Sequence, residues 1–455
     1  MITATHFYNY TRCPRKVYLD FFGDAEKKLP HSEFMLSRFR IGREHEKDVA
    51  KNIKYVAPEK TAKDEEKFRQ TVKFMEQGAS IIFQGVLIDK DFIGRPDILI
   101  KVPGQSRLGD YHYEAIDIKV AVHAKKQYIM QIMFYSSMLQ KIQEKMPEFT
   151  YLILNNKSKK LHTYDYMNQY AEALVEIKNI ASGCEAEVHI CSECGECPWR
   201  DVCLEKAEKE KDISLIYNLG RKSKELLIEN NIDNFEKAAD MDVDLLKNIK
   251  GLGEASLRRW KTQSRALIDK KTIKIGNPNL PKAKTEIYFD IEGEPDIDIE
   301  YLFGLWTEGE YIYFLAKSPE EEKKAWKGFI DFFKDKEDFK IYHYAPYEKN
   351  ALKKLRKKYG CDEETYRKIT NNMIDLFSVV KKTAVLPLYS YSIKDIAKHL
   401  GFEWSEKDAS GGQSTIWFTR WLAEKDPALI DTILQYNKDD VLATEKVKEW
   451  LQDLE

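Results

Sequence analysis

Short apolar runs alternate with long polar stretches along the chain, and their spacing predicts an α/β protein. Within residues 1–210, a charged stretch from Phe34 to Ile53 has helical character. It leads to apolar runs at Ile81–Ile88, Asp97–Val102 and Tyr113–Val120, which read as strands. Lys125–Gln143 reads as a helix and Phe149–Leu154 as a further strand, so helices should surround a small mixed sheet. Residues 213–268 lack strand signals and show short amphipathic segments, and Ile275–Lys284, with Gly, Asn and two prolines, suits a linker. After it, Glu286–Ile291, Tyr301–Trp306 and Tyr311–Leu315 read as consecutive strands, followed by a helix at Pro319–Phe333 and a strand at Lys340–Tyr344. The expected organisation is therefore three α/β or helical domains, at 1–210, 211–272 and 285–455.

Composition narrows the class. The 455 residues are 43% hydrophobic and 33% charged, too apolar for disorder, and they contain no uncharged run long enough to span a bilayer. Residues Met1–Tyr8 have neither a basic segment nor an apolar one of the secretory kind, so the expected location is the cytoplasm. With 73 Lys+Arg against 75 Asp+Glu the net charge is −2, and bulk charge does not mark a nucleic-acid binder. Candidate chemistry must come from local sites.

The first such site is Pro96-Asp97 followed by Asp117-Ile118-Lys119. Residues two apart share a strand face, so Asp117 and Lys119 project together and can meet Asp97 at one cation. Oxygen ligands suit Mg²⁺ or Mn²⁺, and Lys119 could orient the reacting water or neutralise developing charge. These residues resemble the PD-(D/E)XK nucleases, and the flanking pattern is similar to the RecB branch. That resemblance implies a metal-binding His45 in an upstream helix and a Gln-x-x-x-Tyr pair after the catalytic strand, here Gln131 and Tyr135 on one helical face.

Of seven cysteines, Cys184, Cys191, Cys194, Cys197 and Cys203 fall in one stretch, Cys13 lies near the N-terminus and Cys361 is isolated. An odd, clustered set argues for metal ligation over disulfides. By itself the cluster suits zinc as well as iron–sulfur. Together with Arg12-Cys13-Pro14 it resembles the iron–sulfur RecB-family nucleases, which implies a [4Fe–4S] cluster held by Cys13, Cys194, Cys197 and Cys203, fastening the two ends of the first domain. Cys191 is an additional thiol, and zinc remains the alternative.

In the middle segment, Ile249-Lys-Gly251-Leu-Gly253-Glu-Ala resembles the hairpin of a helix-hairpin-helix motif, in which Gly251 and Gly253 would aim backbone N–H groups at a DNA phosphate. A helical linker with a glycine turn is the plainer reading.

A second acidic set begins at Asp290-Ile-Glu292, whose carboxylates leave one face of an apolar strand. Downstream lie Glu348, after the strand ending at Tyr344, and Tyr436-x-x-x-Asp440, one helical turn apart. This order resembles the DEDD exonucleases of the RNase H-like fold, with Glu348 where Asp is usual. The resemblance implies two metal ions held by Asp290, Glu292, Glu348 and Asp440, with Tyr436 positioning water. Asp439 competes with Asp440, and Asp375 is a helper or a bystander. No Gly-x4-Gly-Lys-Ser/Thr occurs, and Ser410–Ser414 lacks the lysine and reads as a plain loop, so no ATP motor is expected and any unwinding would need a separate helicase.

The whole chain is similar to RecB-like nucleases carrying a C-terminal RNase H-like domain of the YprB type. The expected function is a metal-dependent nuclease acting on DNA. An RNA-processing exonuclease, or a nucleic-acid-binding adaptor with one or both sites inactive, is the alternative.

Overall fold

The computed structural model describes residues 1–121, 123–155, 157–406 and 411–454. They divide into two compact units, Met1–Lys206 and Ala207–Glu455.

The first unit is built on a five-stranded sheet. Helices α1 (Ala4–Arg12), α2 (Pro14–Phe22), α3 (Glu33–Ala50) and α4 (Asp64–Glu76) precede strands β1 (Ile81–Phe83), β2 (Ile98–Ser106) and β3 (Gly109–Lys119). Helix α5 (Lys126–Gln143) then leads to β4 (Phe149–Leu154), β5 (Lys157–His162) and α6 (Met167–Ala181). The order is β1-β2-β3-β4-β5, and β3 and β4 are the parallel pair in an otherwise antiparallel sheet. The run Ile81–Ile88 is not one strand: Gln84 turns the chain with φ +49°, and Leu87–Asp89 joins a separate small sheet with Phe92–Gly94 and Ile2–Thr3. On one face of the main sheet, Tyr113 and Ala115 pack with Phe7 of α1 and Met130, Met133 and Phe134 of α5. Asp117 and Lys119 continue that face by the two-residue repeat. Ile118, on the other side, joins a smaller cluster with Ile98, Phe83 and Ala50 of α3.

The second unit begins with helices α7 (Arg221–Glu229), α8 (Phe235–Asp240), α9 (Val243–Leu246) and α10 (Glu254–Asp269). They enclose a core of Leu219, Leu227, Ala238, Leu246, Leu252, Leu257 and Trp260. The turn before α10 needs Gly251, whose φ is +106°, whereas Gly253 has an ordinary φ of −87°. This helical segment is attached to the sheet-bearing part of the unit. Ile273–Lys274 pairs antiparallel with Ala384–Val385, Arg259 Nη1 and Gln263 Nε2 donate to the carbonyls of Lys381 and Leu388 at 2.7 and 2.8 Å, and Tyr217 stacks on Tyr391 with ring centres 4.5 Å apart.

The sheet of this unit contains β6 (Thr285–Glu294), β7 (Ile299–Thr307), β8 (Glu310–Leu315), β9 (Phe339–His343) and β10 (Met373–Asp375), in the order β8-β7-β6-β9-β10. β6 is antiparallel to β7 and parallel to β9. Alternation sorts β6 cleanly: Ile287, Phe289 and Ile291 enter one core with Phe329 and Phe303, while Tyr288 enters another with Val441, Ala443 and Val447. Those last residues lie on the long helix Pro427–Asp453, which Asp426 starts by accepting from the Ala428 N–H while Pro427 occupies the first turn. The loop expected at Ser410–Ser414 is corrected from Gly411 onward, because Gly411–Glu424 is a helix whose Ser414, Ile416 and Phe418 are buried; Ser410 lies outside the described residues. No helix among the described residues is long and apolar enough to cross a membrane.

Candidate functional sites

At the end of β3, Lys119 Nζ lies 2.7 Å from Asp117 Oδ2, and the Ile118 N–H donates to Asp97 Oδ2 at 2.6 Å. The antiparallel pairing of β2 and β3 thus brings together residues the sequence separates. Burial first, then the charge of Asp117, pushes the Asp97 carboxyl well above its ordinary range. Burial opposes the Lys119 ammonium, but Asp117, Asp97 and Glu46 together hold its pKa above the lysine value. Tyr135 is buried in the same field, its hydroxyl pushed up by burial and then by Asp117 and Asp97. Gln131 has its Oε1 buried and without a hydrogen bond.

On α3 the acid facing this group is Glu46. Its pKa is raised by burial and Asp117, against Lys119, Gln84 and Arg43. His45, one residue earlier, has Nε2 buried and unbonded. The sequence reading missed Glu46; its only signal was the acid next to His45.

The cysteines gather where the first and last segments of this unit meet. The Cys13 charge acts on Cys194, Cys197 and Cys203, and the Cys191 N–H donates to Cys194 Sγ at 3.5 Å. Burial, then Cys13, pushes the Cys203 thiol up to about 11. All seven cysteines are free thiols, and Cys184 is exposed. Other contacts tie the same segments: Trp199 Nε1 donates to Asp20 at 2.9 Å, and the buried Arg15 donates to the Ala186 carbonyl at 2.9 Å. Sulfur donors suit a thiophilic metal, but among the described residues no three of these thiols have their sulfurs within 4.8 Å of one another.

In the second unit, ligand oxygens of Asp290, Glu292 and Asp440 all lie within 4.8 Å of one another, with Asp290 half-buried and the others buried. Burial is the main force against their ionisation. Mutual repulsion adds to it, so Asp290 and Glu292 are held well above the carboxylate range. Asp440 is raised to about 6, burial being opposed by Trp404, Lys394 and Tyr436. Trp404 Nε1 donates to Asp440 Oδ1 at 2.8 Å. Three clustered carboxylates that are costly to ionise without a counter-charge are a fitting divalent-cation site.

Asn437 organises the cluster. Its Nδ2 donates to Asp290 Oδ2 at 2.7 Å, and its Oδ1 accepts from the Tyr311 hydroxyl at 2.8 Å. Gly304 on β7 makes room for it, since a Cβ there would stand 1.6 Å from Asn437 Oδ1. Lys394 Nζ lies 4.8 Å over the Tyr436 ring, and its charge acts on Asp440 and Glu292. Asn437 and Lys394 escaped the sequence reading as site residues, although Asn437 stands three residues before Asp440 on the same helical face.

The remaining candidates have other attachments. Asp439 accepts from the Ser405 N–H at 2.8 Å and from Gln435 at 2.8 Å, so Asp440 is the one in the cluster. Asp375 accepts from the Ala345 N–H at 2.9 Å and caps the helix Leu376–Thr383. Glu348 is outside the three-carboxylate group: its Oε2 is 3.1 Å from Nδ1 of the fully buried His343, although its charge still acts on Asp290.

Two family models match the sequence. The one described as the PD-(D/E)XK nuclease superfamily covers residues 24–204, and the one described as the RNase_H superfamily covers residues 287–452. The chain carries one domain of each superfamily. Nuclease-superfamily domains and an acidic metal-binding cluster support a metal-using enzymatic activity. No curated protein matches the sequence. Among solved structures, the family B DNA polymerase from the hyperthermophilic archaeon Pyrobaculum calidifontis aligns at 19% identity and a TM-score of 0.30, over 38% of this chain and 25% of its own. The chain therefore spans about a quarter of that polymerase's length.

Proposed function

We propose that the protein is a metal-dependent nuclease that hydrolyses DNA phosphodiester bonds, single strands or ends foremost, with an active site in each unit. It would serve repair, recombination or defence, in the manner of RecB-like nucleases with a YprB-type C-terminal domain. The observation that carries the reading is the convergence of Asp290, Glu292 and Asp440 within 4.8 Å.

In the C-terminal site Asp290, Glu292 and Asp440 would hold Mg²⁺ or Mn²⁺, which supplies a lowered water pKa and neutralises charge on the phosphate. Asn437 fixes Asp290, and Trp404 fixes Asp440. Tyr436, hydrogen-bonded to Asp440, orients the attacking water. Glu348 completes the acidic field from the His343 side. In the N-terminal site Asp97 and Asp117 would hold the cation, with His45 and Glu46 contributing from α3. Lys119 holds the reacting water or meets developing negative charge, and Gln131 and Tyr135 line the site behind it.

Cys13, Cys194, Cys197 and Cys203 would hold a [4Fe–4S] cluster, which supplies a structural fastening; Cys191 stands ready beside Cys194. The Gly251–Gly253 turn would meet a DNA phosphate as a helix-hairpin-helix does, and duplex unwinding would come from a separate helicase. An adaptor role with one or both sites silent is the second reading, and for the C-terminal site the engagement of Glu348 with His343 favours it.

The test is degradation of labelled single-stranded DNA by the full chain in Mn²⁺ and in EDTA, with Asp117→Asn, Asp290→Asn and the double variant. Each single variant should retain the activity of the other site, and the double variant should lose all of it. Unaltered cleavage by the double variant would reject both assignments. Activity lost entirely with Asp117→Asn alone would establish the silent C-terminal site.

A further inference from the structure

The mouth of the N-terminal site carries side chains that neither metal binding nor water activation uses. On α5, Tyr128, Gln131 and Tyr135 stand at intervals of three and four and so share one face. Tyr135 is buried beside the carboxylates, whereas Tyr128, nearer the helix start, is half-buried with Lys119 Nζ 5.7 Å from its ring centre. Beyond it lies Tyr8 on α1, ring centres 6.2 Å apart and planes inclined by 30°. Arg12, one turn further along α1, sits 5.5 Å over the Tyr8 ring and donates to its hydroxyl at 3.3 Å. Glu193 holds Arg12 from the other side, its carboxylate accepting from Nε at 2.7 Å. Arg38 on the exposed side of α3 also acts on Tyr128.

Phe7 and Tyr113 are 0% exposed and Phe134 1%, whereas Tyr128 packs against their cluster with part of its surface open. Tyr8 and Tyr128 stay half open, in line with the catalytic lysine and flanked by guanidinium groups. Half-open aromatic faces beside fixed cations are how a single-stranded polynucleotide is held, bases against rings and phosphates against arginines. A duplex stacks its bases on each other and offers only their edges.

We propose that Tyr128, Tyr8, Arg12 and Arg38 form a track for single-stranded nucleic acid, leading from the bond cut at Asp117 and Lys119 toward the cysteine-bearing end of the unit. The proposal rests on the nuclease reading of this site and adds the residues that hold its strand. Tyr128 takes the base nearest the cut and Tyr8 the next. Arg38 meets the phosphates, and Arg12 stiffens Tyr8.

The experiment uses the full chain with Asp290→Asn, so that only the N-terminal site cuts. Single-turnover cleavage of a 20-nucleotide single-stranded DNA in Mn²⁺ is measured against protein concentration. Tyr8→Ala and Tyr128→Ala should each raise the half-saturating concentration about tenfold, and the Phe variants should stay within about twofold. Arg38→Gln should lower the salt slope by about one. In a DNA strand carrying 5-iodouracil near the cut, light should cross-link Tyr8 or Tyr128, a readout that needs no cleavage. Loss confined to DNA would make the track DNA-specific, and equal loss with a matched RNA strand would make it indifferent to the sugar; both support it. Unchanged half-saturation in both Ala variants, the same loss on blunt duplex, or cross-links only elsewhere would overturn it. If the Ala variants bind normally while Asp117→Asn stops cleavage, the track falls and the nuclease reading stands. If nothing cuts but Tyr8 or Tyr128 cross-links, the reverse holds.

Discussion

Asn437 bridges Asp290 and Tyr311, donating to the carboxylate at 2.7 Å and accepting from the phenol at 2.8 Å. The amide thereby joins the helix carrying Asp440 to the strand carrying Asp290. Asn437→Ala should lower C-terminal cleavage and Mn²⁺ affinity by about tenfold to a hundredfold. Gly304→Ala, which changes no polar group, should reproduce the loss because its Cβ occupies the space of the amide oxygen. Both are read in chains carrying Asp117→Asn, by Mn²⁺ titration calorimetry and end-labelled DNA. Normal Mn²⁺ affinity in both variants would remove Asn437 from the site.

On α3, Glu46 carries a charge that reaches Lys119 and Asp117, and His45 beside it has a buried, unbonded Nε2. Glu46→Gln should therefore cut N-terminal activity by about tenfold or more, and His45→Ala should have a smaller effect that excess Mn²⁺ relieves. Dose–response curves in Mn²⁺ for the two variants, with Asp290→Asn present, decide the order.

Asp440 gives a pH dependence with a defined sign. Its carboxyl is raised from the ordinary 3.8 to about 6, burial being the main cause. The metal-free folded chain therefore holds that proton more tightly than the unfolded chain. Its stabilising contribution is full below pH 3.8 and is lost as pH rises through about 6. Mn²⁺ competes with the same proton, so the rise in Tm that Mn²⁺ produces should be larger at pH 7.5 than at pH 5. Melting curves with and without Mn²⁺ check this, and Asp440→Asn should flatten the difference.

Cys13→Ser or Cys203→Ser should reduce bound iron and solubility, whereas Cys184→Ser and Cys361→Ser should leave both unchanged. Iron analysis and the visible spectrum of anaerobically purified protein provide the measurement. Because Trp199 and Arg15 also hold the two segments together, the Cys13 variant should lose iron before it loses its secondary structure. Full iron in Cys13→Ser would transfer the ligand role to Cys191.

Glu348 is long enough to reach His343, and Glu348→Asp would withdraw the carboxylate from a ring whose Nε2 already lacks a hydrogen bond. Stability should fall by ~1–3 kcal/mol in urea unfolding, while Glu348→Gln should lose less because its amide can still bond the ring.

The strand-borne acids were legible because two-residue alternation fixes a side chain's face whatever surrounds it. Asp117 with Lys119 and Asp290 with Glu292 come from that rule alone. Asp440 and Tyr436 come from the resemblance to the Tyr-x-x-x-Asp motif, whose spacing is one helical turn. Asn437 was not legible, because its role depends on an absent side chain at Gly304, and no local pattern marks an approach between distant segments. On α3 the sequence pointed to His45 and passed over Glu46, because neighbouring residues differ by about 100° about the helix axis and no periodic signal marks both as partly buried. Likewise Ile81–Ile88 looked continuous, since its apolar content hid the left-handed turn at Gln84.

The pairing of Ile273–Lys274 with Ala384–Val385 bears on how the protein can be dissected. A proteolytic or recombinant cut at the Pro- and Asn-rich stretch before Thr285 would strip a strand from Ala384 and Val385, both buried, and lift Tyr217 off Tyr391. The released fragment would present a sticky apolar seam to its neighbours and self-associate. A fragment beginning at Ala207 keeps its own cover, so the helices before the sheet act as its splint, and soluble yield compared between the two cuts would measure how much that splint contributes.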